Sequence, residues 1–487
     1  MLPGWVIFGS AFAYLGLLFA VASIGDRRAK ASNDPGRGRP IVYALSLAIY
    51  CTSWTYFGGV GLAADSGFEF IAIYIGPVLM FTIGLPLLRR MTGIAKAEKL
   101  TSVADFVAAR YGKNPVVAMI VAIIALAGAV PYIALQLKAV SNSVAALVDT
   151  SGYAIGLDHR QLIDLPLLVS LSLAFFAVVF GTRHADATEH QDGLILAIAT
   201  ESVIKLVAVL TVGVTVVYSL FDGPAHLLEQ ARAYAPAAEA LFHQTPVSRW
   251  ILLVGLSALA IIMLPRQFHV MVVENRTDGE LKMARLFFPL YLIAINLFVL
   301  PIAIGGVLLF NGTGDGDLYI LSVPLQSGMS TVTLIAFIGG FSAATAMVIV
   351  ESVALAVMIS NDIVMPVLLR RNLIGAGEDL GRLVLSVRRG AIFAVLLLGY
   401  GYYRSAGSEN GLASIGLIAF AAIAQIAPAM LIGLVWRRAN ARGAIAGLVS
   451  GFAVWTWLLF IPSLGGTDTS GDAGAILDAL LPSSSFF

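Results

Sequence analysis

The sequence predicts an all-α integral membrane protein. Its 487 residues are 59% apolar and 12% charged, whereas soluble domains are about 45–50% apolar and about 25% charged. It contains about twelve apolar segments of roughly 20 residues, the length that crosses a bilayer as a helix. Two of these segments are interrupted, one by Gly58, Gly59 and Gly61 and the other by Pro265. A water-soluble fold is therefore excluded.

The predicted spans follow one another along the chain, because only a helix satisfies its own backbone hydrogen bonds in lipid. Their approximate limits are 2–24, 41–63, 68–91, 115–148, 165–182, 192–220, 249–273, 285–311, 330–369, 385–403, 412–436 and 443–461. Basic residues follow the first segment and none precedes its apolar core, so it is predicted to be a retained span and not a signal peptide.

The basic residues also predict the orientation, because positively charged loops stay in the cytoplasm. With the N-terminus outside, 23 of the 30 Lys and Arg residues fall in inner connections and four in outer ones. The other three, Lys138, Lys205 and Arg266, lie inside spans. We expect a multi-pass protein of a bacterial-type cytoplasmic membrane. Twelve spans return the chain to the outside before a polar tail, 465–487, which indicates truncation.

Charge and composition exclude several functions. The net charge is +1, so no global field attracts nucleic acid. Cys51 is the single cysteine, which excludes an internal disulfide and a multi-thiolate metal site. No convergent set of His, Asp and Ser residues indicates an enzyme, and we expect no cofactor.

The two interrupted segments lie five spans apart. Glycine weakens a helix by about 1 kcal/mol relative to alanine, and proline removes a backbone hydrogen bond. Interruptions at corresponding positions of two halves are typical of inverted-repeat transporters with a midplane site. The pattern predicts repeats over 41–220 and 249–438, flanked by peripheral segments 1–40 and 443–487. The alternative is that these residues serve only packing.

Several motifs resemble known sequences. Gly433-Leu434, Arg438, Gly443-Ala444 and Gly447-Leu448-Val449-Ser450-Gly451 resemble a signature of the sodium:solute symporter family. The stretches at 50–54, 131–138, 201–206 and 264–269 resemble a branch in which a symporter-like domain precedes a cytoplasmic histidine kinase. The resemblance covers nearly all of residues 1–461.

The resemblance implies a LeuT-like fold of two inverted five-helix repeats with thirteen spans, the last of which would lead to a kinase in cis. It also implies binding and transport of a small polar solute, with an amino acid such as histidine favoured, in the input module of a two-component sensor. No kinase pattern occurs in these residues. The alternative is a receptor that keeps the fold without transporting, since fold does not dictate function.

Four candidate substrate-binding residues lie beside the two interruptions: Trp54, Thr55, Arg266 and Gln267. Two more, Tyr132 and Gln136, follow Pro131 on a helix that is expected to pack near this region. Trp54 is predicted near the midplane and matches a tryptophan at the substrate site of the family, although it could also only fill a gap. Arg266 follows Pro265 and could meet a substrate carboxylate. Its distance from Arg249, roughly 25 Å along a straight helix, instead favours the inner interface, where arginine can snorkel.

The resemblance also implies a cation site. In the family, backbone carbonyls of the first broken helix and of the ninth span bind sodium with two hydroxyls, and the matching carbonyls here are Ala48, Cys51 and Ala343. The hydroxyl positions fall on Ala346 and Met347, although a shift of one residue would restore Thr345 as a ligand. We therefore expect sodium coupling to be weak or absent.

Three further charged residues lie inside spans. Glu201 and Lys205 share a helix face and can pair, either as a structural pair or as a proton relay. Glu351 has no partner on its own helix and could carry a proton or meet the amino group of a substrate. Charges in lipid must face the bundle interior. Because sodium coupling is expected to be weak or absent, we expect transport to run on protons or down the substrate gradient.

Overall fold

The computed structural model describes residues 3–31, 38–149, 164–182, 190–371, 379–406 and 411–464, and every regular element in these ranges is helical. The polar tail at 465–487 and the outer basic residue Arg160 lie outside the described residues.

The first half of the chain contains the first broken helix. Its helices are α1 (Gly4–Ala31), α2 (Pro40–Ser46), α3 (Gly59–Ser66), α4 (Ala72–Thr82), α5 (Leu85–Glu98), α6 (Val103–Arg110), α7 (Pro115–Asp149), α8 (Leu165–Gly181), α9 (Asp192–Thr215), α10 (Pro224–Ala233) and α11 (Ala235–Leu241).

The second half contains the other broken helix. Its helices are α12 (Val247–Met263), α13 (Pro265–Phe268), α14 (Asp278–Asn296), α15 (Val299–Leu309), α16 (Tyr319–Gln326), α17 (Ser330–Met358), α18 (Met365–Arg370), α19 (Leu380–Ser405), α20 (Leu412–Ala424), α21 (Gly433–Val435), α22 (Ala441–Trp455) and α23 (Ile461–Leu464).

Nine helices in the described ranges are long and apolar enough to cross a membrane, and the bent pair Val247–Met263 and Pro265–Val273 makes a tenth. One of the nine, Trp54–Thr82, consists of two helical segments that run in opposite directions. A straight helix would separate Trp54 from Tyr74 by about 30 Å, yet their ring centroids are 6.3 Å apart. The chain therefore turns back between them, at Gly67, whose φ is +54°. With the shorter apolar helices Pro40–Tyr50 and Pro166–Val179, each predicted segment coincides with helical structure.

The first broken helix is interrupted at residues 51–53. Its first half, α2, continues as a 3-10 turn, Leu47–Tyr50, and its second half begins with a π-helical turn, Trp54–Gly58. The prediction that the glycines form the break is wrong, because Gly58, Gly59 and Gly61 are helical. Two of them permit close packing instead: a Cβ on Gly61 would stand 2.1 Å from Asp317 Oδ1, and one on Gly58 would stand 3.1 Å from Leu412 Cβ.

The second broken helix bends by 57° between Met263 and Pro265. Leu264 has extended backbone angles, φ −57° and ψ 130°, and Pro265 begins α13. Proline is suited to the first position of a helix, because that position needs no N–H partner. The predicted interruption at Pro265 is therefore confirmed, and the two breaks face each other in the bundle core.

Candidate substrate and cation site

A buried ion pair joins the second broken helix to α17. Arg266 Nη1 donates to Glu351 Oε2 at 2.9 Å, and both side chains are 0% exposed. Arg266 was expected near the inner interface because its depth was counted along a straight helix. The break at Leu264 turns α13 into the bundle, so Arg266 does not snorkel, and Glu351 finds its partner on another helix.

The pair is only partly satisfied. Among the described residues, Nε and Nη2 of Arg266 and Oε1 of Glu351 find no hydrogen-bond partner, and the adjacent Gln267 Oε1 finds none either. A buried polar atom without a partner costs about 1–3 kcal/mol. Donors and acceptors therefore stand ready beside the second break for a ligand or for water.

Tyr132 forms an aromatic platform under this pair. The Arg266 guanidinium lies 4.4 Å from the Tyr132 ring centroid, a cation–π distance. The ring of Phe420 on α20 is nearly parallel to that of Tyr132, with centroids 6.0 Å apart. The Tyr132 hydroxyl lies 2.9 Å from Thr52 Oγ1, inside the first break. Tyr132 thus connects both breaks through one side chain.

The two predicted glutamines hold the broken helices. Gln136 Oε1 accepts from the Ser53 N–H at 3.1 Å, which satisfies a backbone donor that the break leaves free. Gln267 Nε2 donates to the Leu47 carbonyl at 3.3 Å, which links the second broken helix to the first. Both side chains are buried, so the predicted set lies at the junction of the breaks.

Trp54 lies apart from the ion pair. Its indole N–H donates to the Ala413 carbonyl at 3.0 Å, and its ring faces Gly416, where a Cβ would come within 2.3 Å of Trp54 Cδ1. Thr55, next to it, is also buried. Trp54 therefore closes the space between the first broken helix and α20, and its contact with a substrate stays a prediction.

Lys205 of α9 lies at the end of the first half-helix. Its Nζ donates to the Ala48 carbonyl at 2.8 Å and to the Cys51 carbonyl at 2.6 Å, and it is 1% exposed. These are the two carbonyls expected to bind a cation. Ala343, the third expected ligand, is buried on α17. The Lys205 ammonium donates to the carbonyls of Ala48 and Cys51.

Glu201 is satisfied by neutral groups. Its Oε1 accepts from the Tyr14 hydroxyl at 2.8 Å and from Thr345 Oγ1 at 2.8 Å, while Ser342 Oγ donates to its backbone carbonyl at 3.1 Å. Among the described residues, no ion pair within 4.0 Å joins Glu201 to Lys205. The two share one helix face as expected, yet each group uses partners from other helices.

An ionic network holds the N-terminal end of the first broken helix close to the C-terminal end of the second. Arg39, before α2, pairs with Asp192 at the start of α9, and Arg276 pairs with the same carboxylate at 2.9 Å. Glu280 Oε1 accepts from the Arg39 N–H at 2.7 Å. Glu274, after the second broken helix, accepts from the Gln191 N–H at 2.9 Å. These contacts must break if the two broken helices separate at these ends.

A carboxylate caps the N-terminal end of α20. Asp317 Oδ2 accepts from the Leu412 N–H at 2.9 Å, and Gly61 lets the carboxylate approach α3. Burial, above all, raises the pKa of Asp317 to about 6, and the nearby Asp315 carboxylate acts in the same direction. Protonation of Asp317 is therefore a charge change expected near neutral pH on this surface.

Sequence reasoning missed three side chains of the site: Tyr14, Thr52 and Phe420. Thr52 had a usable signal, since it is a hydroxyl residue beside Ser53 and Thr55 in the interrupted segment. Tyr14 and Phe420 had none, because their distance in sequence from Glu201 and Tyr132 is about 190 and 290 residues and only the packing of helices brings them together.

Comparisons with known proteins identify similar membrane transporters. No protein-family model matches the chain. The chain is 24% identical over 444 residues to the uncharacterized symporter YhjB of Bacillus subtilis (strain 168), and this alignment covers 89% of this chain and 83% of YhjB. It is 25% identical over 452 residues to the uncharacterized symporter YodF of the same organism, in an alignment that covers 90% of this chain and 81% of YodF.

A solved structure shows the fold. The substrate-bound, outward-open structure of a Na+-coupled sialic acid symporter matches 98% of both chains with a TM-score of 0.67 at 16% identity. The predicted LeuT-like fold is confirmed, and the chain is a multi-pass membrane protein similar to bacterial symporters. Neither relative is named as a kinase or a sensor, so the sensor-kinase branch of the resemblance is not supported.

Proposed function

We propose that the chain transports a small zwitterionic solute of the amino-acid class across a bacterial cytoplasmic membrane. One observation carries the proposal: within the part of the chain that the structure describes, the buried Arg266–Glu351 pair shares a single hydrogen bond and keeps two guanidinium nitrogens and one carboxylate oxygen without partners. These atoms lie at the break of the second broken helix, where transporters of this fold class bind their substrates near the midplane.

The spare atoms match the charges of an amino acid. A carboxylate accepts two parallel hydrogen bonds from the fork of a guanidinium, which Nε and Nη2 of Arg266 can offer. An ammonium donates to Glu351 Oε1. The ligand and the pair are each neutral overall, so binding leaves no uncompensated charge in the low-dielectric interior.

The groups next to the ion pair would contact the side chain of the bound amino acid. The stacked rings of Tyr132 and Phe420 offer an apolar face, and Gln267 Oε1 offers an additional acceptor. The similarity to symporters supports transport, and the family resemblance makes histidine the first amino acid to test.

The test is uptake of a mixture of 14C-labelled L-amino acids, and of histidine alone, by the purified protein in liposomes. We expect accumulation by the natural chain and at least about a tenfold loss in Arg266→Gln and in Glu351→Gln, because each removes a charge-assisted hydrogen bond to the ligand. The matched control is Arg249→Gln, which breaks the Arg249–Glu69 pair (2.8 Å) on the outer side and should retain uptake.

Tyr132→Phe covers the case in which the charge variants do not fold, since it keeps the ring under Arg266 and removes only the hydroxyl that reaches Thr52. Uptake should fall while the melting midpoint stays. Saturable binding of labelled amino acid without accumulation would make the protein a receptor. Neither binding nor uptake of any amino acid by folded protein would refute the proposal.

A further inference from the structure

We propose that the Lys205 ammonium is a built-in cation in the carbonyl site of the first broken helix, so that this ammonium takes the place of sodium there. The carbonyls of Ala48 and Cys51 lie at the C-terminal end of the first half-helix, where the helix dipole is negative and favours a cation. Lys205 Nζ occupies both, at 2.8 and 2.6 Å.

Sodium would have to compete with this ammonium. Both carbonyl oxygens already accept from Nζ at hydrogen-bond distance, and a second positive charge beside a buried ammonium is repelled in a low dielectric. Lys205 is 1% exposed and reaches the site from α9, a different helix. The position is therefore filled from within the chain by a cation that cannot dissociate.

The hydroxyls that could complete a sodium site have other partners. Thr345 Oγ1 donates to the Glu201 carboxylate, and Ser342 Oγ donates to the Glu201 carbonyl. Ala346 and Met347, at the neighbouring positions of α17, offer no side-chain oxygen. A hard cation placed here would find incomplete coordination, which is costly in a buried site.

The phenols and the guanidinium around Lys205 have hydrogen-bond partners of their own. The phenols of Tyr14 and Tyr291 donate to Glu201 Oε1 and to the Ser202 carbonyl, and Tyr50 donates to the Ile73 carbonyl. Arg266 is paired with Glu351. Glu201, one turn before Lys205 on α9, supplies the negative charge that balances the ammonium, and the Cys51 thiol is the remaining titratable neighbour.

The first test needs no solute. The melting midpoint of the purified protein is measured in sodium chloride and in choline chloride at equal ionic strength. Since a ligand that binds only the folded state raises the midpoint, we expect no difference for the natural chain. A saturable, sodium-dependent rise in the natural chain would overturn the inference.

The second test uses Cys51, the single cysteine, which is 1% exposed and adjoins the break. Its alkylation rate by N-ethylmaleimide reports opening of residues 51–53, and Cys51→Ser gives the background. We expect the rate at constant pH to be equal in sodium and choline, and to rise on the order of tenfold in Lys205→Met, which loses both hydrogen bonds to the carbonyls. Lys282→Met, an exposed lysine on α14, is the matched control.

The third test rests on the proposed function. In liposomes, the natural chain should take up the labelled amino-acid mixture equally well in sodium chloride and in choline chloride. Lys205→Arg keeps a cation within reach of the two carbonyls and should show the same indifference to sodium, with an alkylation rate near that of the natural chain. Uptake by the natural chain that requires sodium would refute the inference. Absence of uptake in every sample would refute the proposed function instead, since the first two tests involve no solute.

Discussion

Arg266 and Glu351 come from two helices and form one direct ion pair, whereas Lys205 and Glu201 stand one turn apart on α9 and are each satisfied by other groups. The first pair keeps unpartnered atoms that face the second break. In the second, the ammonium ends on two backbone carbonyls and the carboxylate on two hydroxyls. The first arrangement is suited to binding a zwitterion, and the second holds a cation of the chain itself on the two carbonyls.

The difference teaches how partners are chosen in this interior. Four-residue spacing allows two side chains to meet, but neutral groups of other helices lie closer and make the hydrogen bonds. Glu351 has no partner at such a spacing and still forms the direct pair. A buried charge needs a hydrogen-bond or ion-pair partner, and the packing of the helices determines which residue provides it.

The largest effect is expected from breaking the direct pair. Arg266→Met leaves Glu351 as an uncompensated buried charge and should lower the free energy of unfolding in detergent by about 3–5 kcal/mol. The double variant Arg266→Met/Glu351→Leu removes both charges and should recover most of that loss. Equal instability of the single and double variants would show that the pair's charge is not what stabilises the site.

The next effect is smaller. Lys205→Met removes the donor to two carbonyls and should cost about 1–3 kcal/mol. A double-mutant cycle with Glu201→Gln, read from the same unfolding measurements, should give a coupling energy below that of the Arg266/Glu351 cycle, because these charges share no hydrogen bond. A coupling equal to or larger than that of Arg266 and Glu351 would contradict this ranking.

Trp54 tests whether an aromatic wall adds to the charges of the site. Trp54→Ala should weaken binding of the labelled amino acid by on the order of 1–3 kcal/mol, the scale for a buried aromatic at a binding site, with the protein still folded. Trp457→Ala, whose side chain is 72% exposed on the last span, is the control and should bind normally. Unchanged affinity of a folded Trp54→Ala protein would mean that Trp54 only packs against α20.

The smallest effect concerns Asp317, a carboxylate outside the spans that a backbone N–H satisfies. Because its folded-state pKa is raised to about 6, the folded protein holds a proton that the unfolded chain has already released above about pH 4. This group therefore makes stability fall as the pH rises from about 4 to about 6. Asp317→Asn should flatten the melting midpoint over that interval, while Asp379→Asn, an exposed helix cap, should not.

Much of the fold could be predicted from hydrophobicity alone. Apolar runs of span length force helices in lipid, and Pro265 marks the second break because proline cannot continue a helix there. The first break was misplaced by several residues. Nothing local distinguishes Cys51, Thr52 and Ser53 from a helix, since their break depends on Gln136 and Lys205, which lie far away in sequence.

The candidate site was predicted as residue types more than as contacts. The amino-acid sequence by itself determined that charges at positions 201, 205, 266 and 351 lie in lipid-spanning segments and must turn inward, and that a break adjoins Arg266. Only the tertiary structure decided that Arg266 reaches Glu351 and that Lys205 takes the carbonyls of Ala48 and Cys51. The physical reason is that hydrophobic periodicity dictates burial along one helix, whereas the partner of a buried charge depends on which atoms of other helices lie within 3 Å of it, and that follows from how the whole bundle packs.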